Sequence, residues 1–164
     1  MIITVQNKQK DLSISIPAIK KIIPFLLQEL GFVTDELNVY FLTKEKMGQV
    51  HADFFSDPSP TDCMSFPLDL PVREKSDQEH HILGEIFVCP QVAVEYAIKK
   101  NLDPYQETTL YLVHGLLHLL GYDDLDPISR KEMRKMESFC MKKIQSFSLA
   151  RNVKEKYCLG TPKE

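Results

Sequence analysis

The amino-acid sequence predicts an α/β chain of α+β-like character. A single domain over residues 1–147 should hold a mixed sheet of about four strands with four to five helices, followed by a loosely held tail over 148–164. Three observations predict this. Short apolar runs, β-branched or alternating, interleave with longer segments of helical period. The 164 residues suit one domain of ordinary size and leave little room for two. Hydrophobic residues at 43% and charged residues at 26% are the proportions of a chain that builds a core and stays in water.

Taken in order, Ile2-Ile3-Thr4-Val5 reads as a first strand. Pro17 opens a helix whose apolar positions Ile22, Ile23, Phe25, Leu26, Leu27 and Leu30 leave Lys20, Lys21, Gln28 and Glu29 for solvent; Gly31 is placed to end it. Pro24 removes a backbone donor within that stretch, so it should kink the helix or mark its true start. Leu37 to Leu42 alternates like a strand, and Lys44 to Phe54 reads as a short helix before the turn-rich SDPSPTD. Cys63 to Leu68 and Leu83 to Cys89 read as two more strands, joined by the polar, aperiodic DLPVREKSDQEHH as an exposed loop or hairpin arm. Pro90 to Lys100 is the next helix. Asp103 then caps another, with Pro104 in its first turn and Gln106 where a capping-box partner would reach back. That helix runs through TTLYLVHGLLHLL to Gly121, and Asp126-Pro127 starts the last one.

The composition excludes several classes. No apolar run approaches the ~20 residues of a membrane span, and MIITVQNKQK lacks the apolar region of a secretory signal. Cys63, Cys89, Cys140 and Cys158 are far apart and form no CxxC pair, so they read as reduced thiols in a cytoplasmic protein. A net charge of −3 excludes a generally basic nucleic-acid coat but permits a local basic face.

The chemistry concentrates between Asp103 and Ser129. His114 and His118 are four residues apart, so their rings project from one helix face, one turn apart, as HxxxH motifs do to grip a metal. Zinc needs a third protein ligand while a fourth position stays open for water. Gly121 reverses the chain at once, and Asp124 lies on the returning side, in a pattern HxxxHxxGxxD close to metzincin spacing. Asp123 and Asp126 compete with Asp124 as third ligand, although Asp126 is well placed to cap the next helix. If these were core histidines instead, two buried imidazoles would each need a separate partner. Metalloproteases of the HExxH type carry a Glu base after the first His; here that residue is Gly115, which cannot transfer a proton. Glu85, at the start of LGEIFVC, is a candidate base, and equally a structural or exposed acid.

These residues resemble a known family. HGLLHLLGYDD at 114–124 is similar to the YbeY signature HGxLHLxGYDH; PTDCMSFP at 60–67 resembles that family's PTDVLSFP, and LGEIFVCPQVAVEYA at 83–97 its LGDI strand and following helix. The likeness is collinear from about Leu37 to Ile144. It implies a metal site on a central helix, one zinc ion or another transition metal, and metal-dependent cleavage of single-stranded RNA. The implied setting is small-subunit ribosomal RNA maturation and ribosome quality control. Ribosomal RNA or the small ribosomal subunit is the implied partner, with neither DNA nor membrane. The first two metal ligands carry over onto His114 and His118; the family's third is His, where this chain has Asp124, an exchange zinc accepts.

A second departure concerns charge. The family usually carries Tyr-Arg shortly before the PTD block, the Arg serving catalysis or RNA phosphate. Here Phe54 and Phe55 stand in that region, with no guanidinium for a phosphorane-like charge. Phe54 and Phe55 are expected as a buried pair, with base stacking the alternative; His51 is expected as an exposed or capping residue. Cations appear instead in the last helix, where Arg130, Lys131, Arg134 and Lys135 form i,i+4 pairs and offer RNA contacts. Residues 51–90 hold eight acids and two bases, so the chain is polarised in charge. The leading reading is a metal-dependent endoribonuclease. A ribosome-assembly binding factor with a mainly structural metal is the alternative, and a metallopeptidase is disfavoured by Gly115.

Overall fold

The sheet has four strands in the order β1-β2-β4-β3, built from β1 (Ile2–Asn7), β2 (Glu36–Phe41), β3 (Cys63–Pro67) and β4 (Ile82–Val88). This is a computed structural model; it describes residues 1–74 and 79–150, the last two by backbone alone. β1, β2 and β4 run parallel, and β3 pairs antiparallel with β4, so the sheet is mixed as predicted. The helices are α1 (Ile16–Leu30), α2 (Lys44–Phe55), α3 (Pro90–Lys100), α4 (Pro104–Leu119) and α5 (Pro127–Ala150).

Strand alternation divides the sheet into two faces. Leu37, Val39 and Phe41 of β2, with Ile86 and Val88 of β4, are buried in one core with α1, α4 and α5. The other face carries Asn38, Tyr40, Glu85 and Phe87, all partly exposed. α1 begins at Ile16 with Pro17 in its first turn and continues through Pro24. Pro24 is tolerated because the carbonyl it fails to satisfy is that of Lys20, an exposed residue, where water accepts the loss.

α4 packs against α3, α5, β3 and β4. Its apolar residues Leu112, Val113, Leu116, Leu117 and Leu119 are buried on several sides. The buried hydroxyls of Thr108 and Thr109 donate to the carbonyls of Pro104 (2.8 Å) and Tyr105 (2.7 Å), so neither is left unpaired. Gly115 is a point of contact rather than a gap in the pattern. A Cβ there would come within 2.6 Å of Ile86 Cγ2, and the Ser65 hydroxyl donates to its carbonyl at 2.9 Å.

The tail expected from 148 lies almost wholly outside the described residues. α5 runs on to Ala150 with Ser148 buried in it; residues 151–164 lie outside those described, as does Cys158. Cys63, Cys89 and Cys140 are free. Among the described residues no helix is long and apolar enough to cross a membrane.

Candidate metal centre

The turn after α4 brings two histidines and one aspartate together. Asp103 caps the helix start, its carboxylate accepting from the Tyr105 amide at 2.8 Å. At the other end Gly121 adopts φ +90°. Its amide donates to His118 O (3.0 Å) and the Tyr122 amide to Leu117 O (3.0 Å), the paired bonds of a Schellman ending. The chain therefore doubles back directly over His118.

The three neighbouring aspartates separate by role. Asp123 accepts from the Asp124 (2.7 Å) and Leu125 (3.3 Å) amides and braces the turn. Asp126 accepts from the Ile128 (2.8 Å) and Ser129 (3.0 Å) amides, the N-cap of α5 that its position predicted. Asp124 faces the histidines, with one carboxylate oxygen 3.8 Å from His114 Nε2 and the other 3.8 Å from His118 Nε2. The ligand atoms of all three residues lie within 4.8 Å of one another.

The outer nitrogens explain why this group suits a cation. His114 Nδ1 donates to the Glu137 carboxylate at 2.7 Å, and His118 Nδ1 donates to the Tyr122 carbonyl at 3.0 Å. With both protons on Nδ1, each neutral ring presents only a lone pair at Nε2, and the two Nε2 atoms stand 2.9 Å apart. Two acceptors aimed at each other repel unless something positive lies between them. Ligands at ~2.0–2.1 Å in a tetrahedral zinc site stand about 3.3 Å apart, between the 2.9 and 3.8 Å found here. The donor set fits a zinc-type ion. Outer hydrogen bonds to a carboxylate and a carbonyl are those metal-ligating histidines ordinarily make. The Glu137 bond also raises the His114 pKa, against burial, which lowers it.

Two cavities meet at this group. One, of about 380 Å³, is lined by Asp62, Tyr111, His114, Asp124, Arg130, Arg134 and Glu137 among others. The other, of about 490 Å³, is lined by His51, Phe55, Cys63, Pro67, His118, Asp124 and Leu125 among others. Asp124 borders both. Burial holds the Tyr111 phenol well above its ordinary range, so it stays a proton donor at the cavity wall. Burial, with Asp62, Asp124 and Glu137 nearby, likewise pushes the Cys63 thiol up.

The other residues singled out by the sequence fall in different places. Glu85 does not reach the centre: its neighbours Gly84 and Ile86 turn toward α4, so Glu85 points to the opposite sheet face, where Tyr40 donates to it at 3.1 Å. Of the four α5 cations expected to meet RNA, Arg130 and Arg134 line the cavity beside His114, whereas Lys131 and Lys135 do not. Phe54 and Phe55 are not a buried pair but are 64% and 59% exposed. They close the end of an amphipathic helix and point apart, Phe54 against Phe66 and Phe55 against His51. His51 is partly exposed and does not cap a helix; its Nδ1 donates to the Ser59 carbonyl at 2.8 Å, and it lines the second cavity. Gly115 faces β4, so no side chain at that position would point into the cleft.

Glu137 and Asp62 join the site from outside the residues that the sequence singles out. Glu137 had a signal, since 130, 134 and 137 fall on one helical face. Asp62 sits within the PTD block without any local hint that it would border the histidine cavity.

The fold and site together define an α/β protein with an open, carboxylate-supported His₂-Asp group of the kind found in metal-dependent hydrolases. The family model for Endoribonuclease YbeY matches residues 4–145. Endoribonuclease YbeY of Protochlamydia amoebophila is 44% identical over 149 residues, covering 91% of this chain and 97% of that protein. Endoribonuclease YbeY of Chlamydia caviae is 40% identical over 144 residues, covering 85% and 89% respectively. The solution structure of TM1509 from Thermotoga maritima shares the fold, with a TM-score of 0.62 at 20% identity over 99% of each chain. The chain belongs to the YbeY family, whose named members are endoribonucleases and so hydrolytic enzymes.

Proposed function

We propose that this chain is a metal-dependent endoribonuclease that cuts single-stranded RNA in the cytoplasm, in maturation of small-subunit ribosomal RNA and in ribosome quality control. The observation that carries the reading is the convergence of His114 Nε2, His118 Nε2 and the Asp124 carboxylate beside Arg130 and Arg134. His114, His118 and Asp124 would hold one zinc ion or another transition metal, which supplies a Lewis acid for a phosphate oxygen and lowers the pKa of water.

The chain's own residues do the rest. Glu137 and the Tyr122 carbonyl hold the imidazoles in one tautomer and orientation. Arg130, anchored by donating from Nε to the Asp124 carbonyl at 3.2 Å, and Arg134 bind phosphate oxygens as planar donors. These arginines stand in for the cation that the family carries at the position of Phe55. Three protein ligands open to a cavity favour catalysis over the structural-metal alternative, since structural zinc sites close with four.

The test is cleavage of a single-stranded ribosomal RNA fragment by purified protein of known metal content. Chelation should stop cleavage and one equivalent of zinc should restore it, with a duplex of the same sequence left intact. Metal-loaded protein that binds the RNA and leaves it whole would instead establish the assembly-factor reading.

Removing the support of His114 gives a graded expectation. Glu137→Ala should weaken metal binding by roughly 10- to 100-fold, read by competition with a chromophoric chelator. The pH dependence follows in sign. Protonated His114 is favoured in the metal-free fold, so the pair stabilises that form fully below the ordinary histidine pKa, and this is lost as pH rises through the raised value. Metal requires the neutral ring, so acidification should release it from a higher pH than ordinary histidines would. Glu137→Gln should bring the His114 pKa of the metal-free protein back down toward the ordinary histidine value, read by NMR titration; an unmoved titration would remove Glu137 as the cause of the raised value.

A further inference from the structure

The second cavity is unlike the first, although both border Asp124, with His114 in the wall of one and His118 in the wall of the other. Among its lining residues are two acids, Asp123 and Asp124, and no Lys or Arg; the first cavity carries Arg130 and Arg134. Its lining includes Phe55, Pro67 and Leu125 together with His118. Phe55 is 59% exposed and Leu125 83% exposed. Such a patch lying at a polar centre is informative in a way that scattered surface apolar residues are not.

The Phe55 ring is held in place. His51, one helical turn earlier, packs against it at 5.1 Å between ring centroids with a 45° tilt. His51 is itself fixed by its bond to the Ser59 carbonyl. Ser56, at φ 56°, ends α2 directly after Phe55, so the ring stands at the helix terminus, in the lining of the cavity. A rigid, half-exposed aromatic face costs little conformational entropy when a planar ligand covers it.

We propose that Phe55, backed by His51, is the stacking platform for one unpaired RNA base whose neighbouring phosphate lies at His114, His118 and Asp124. This rests on the endoribonuclease reading and adds the direction in which the strand crosses the centre. The phosphate backbone follows the arginines of α5 on one side, and an extruded base enters the aromatic cavity, whose lining carries no Lys or Arg, on the other. Every base has a π-face, so the platform selects for an unpaired nucleotide rather than for a sequence. A base within a duplex is already stacked on its neighbours and cannot turn onto Phe55. The aromatic residue at this position thus does different work from the family's arginine: it grips the base, while Arg130 and Arg134 take the phosphate.

The experiment uses metal-loaded, full-length protein and single-stranded oligoribonucleotides carrying 2-aminopurine at successive positions around the cleavage point. Binding should quench fluorescence at one position next to the cut. Phe55→Ala should abolish that quench and raise KM roughly tenfold, with kcat little changed and metal content full. Phe55→Trp should keep both. An abasic nucleotide at the quenched position should cost the wild type a similar factor and leave Phe55→Ala unaffected. Equal KM and equal quench in Phe55→Ala overturn the platform while leaving the nuclease standing. Loss of metal together with KM in Phe55→Ala would assign the ring to structure and also overturn it. Metal-loaded wild type that neither binds nor cuts any single strand overturns both readings.

Discussion

His114→Ala should leave the purified protein with essentially no bound transition metal and should lower RNA cleavage by more than about 100-fold. That bound follows because loss of an outer partner alone costs roughly 10- to 100-fold, and this change removes a ligand. It deletes one of two facing Nε2 atoms and leaves Glu137 without the ring it holds. Elemental analysis and cleavage of a single-stranded fragment check the two halves separately. Full metal retention would sink the ligand assignment whatever happened to activity. Folding should survive, because the His114 side chain is partly exposed at the cavity rather than packed in the core, and circular dichroism with a denaturant midpoint verifies that.

Gly84→Ala should destabilise the fold by about 2–5 kcal/mol, the combined scale of backbone strain and overpacking. Gly84 has φ +150°, a conformation other residues rarely adopt. It also sits where the register between β2 and β4 shifts, opposite Leu37. A Cβ there would collide with the Phe66 carbonyl of β3 and come within 2.9 Å of Leu119 Cδ2. The carbonyl belongs to a hydrogen-bonded neighbour strand and cannot retreat without breaking the ladder. Leu119 follows His118, so relief taken by shifting α4 would disturb the centre as well. Urea unfolding should show a lowered midpoint with an unchanged slope, and metal affinity should fall in parallel. An unchanged midpoint would mean that β4 relaxes freely at this position.

Much of the centre was legible before any coordinate. The spacing of His114 and His118 puts both rings on one helix face whatever surrounds the helix, and Gly121 turns the chain whatever it turns toward. The helix starts at Pro17, Asp103-Pro104 and Asp126-Pro127 were read from capping chemistry, which acts over three or four residues. Pro24 was a real ambiguity, settled by the exposure of Lys20. The placements that the sequence leaves open all require knowing a facing surface. Glu85 has the right chemistry on the wrong face of β4. Lys131 and Lys135 share a helix with Arg130 and Arg134 but not its cavity side. Phe55 reads as core from residue type and is exposed because α2 ends there.

What the sequence by itself determined, then, is the order and kind of the elements, the pair of imidazoles and the reversal that brings an acid back to them. Each depends on neighbours a few residues apart, where covalent geometry limits the outcomes. Only the tertiary structure decided which aspartate faces the rings and that Glu137, 23 residues from His114, accepts its Nδ1 proton. It also decided that two unlike cavities meet at Asp124, one beside His114 and the other beside His118. Those depend on how α2, α4 and α5 pack around the sheet. Packing brings distant residues within hydrogen-bond reach without leaving a periodic trace along the chain.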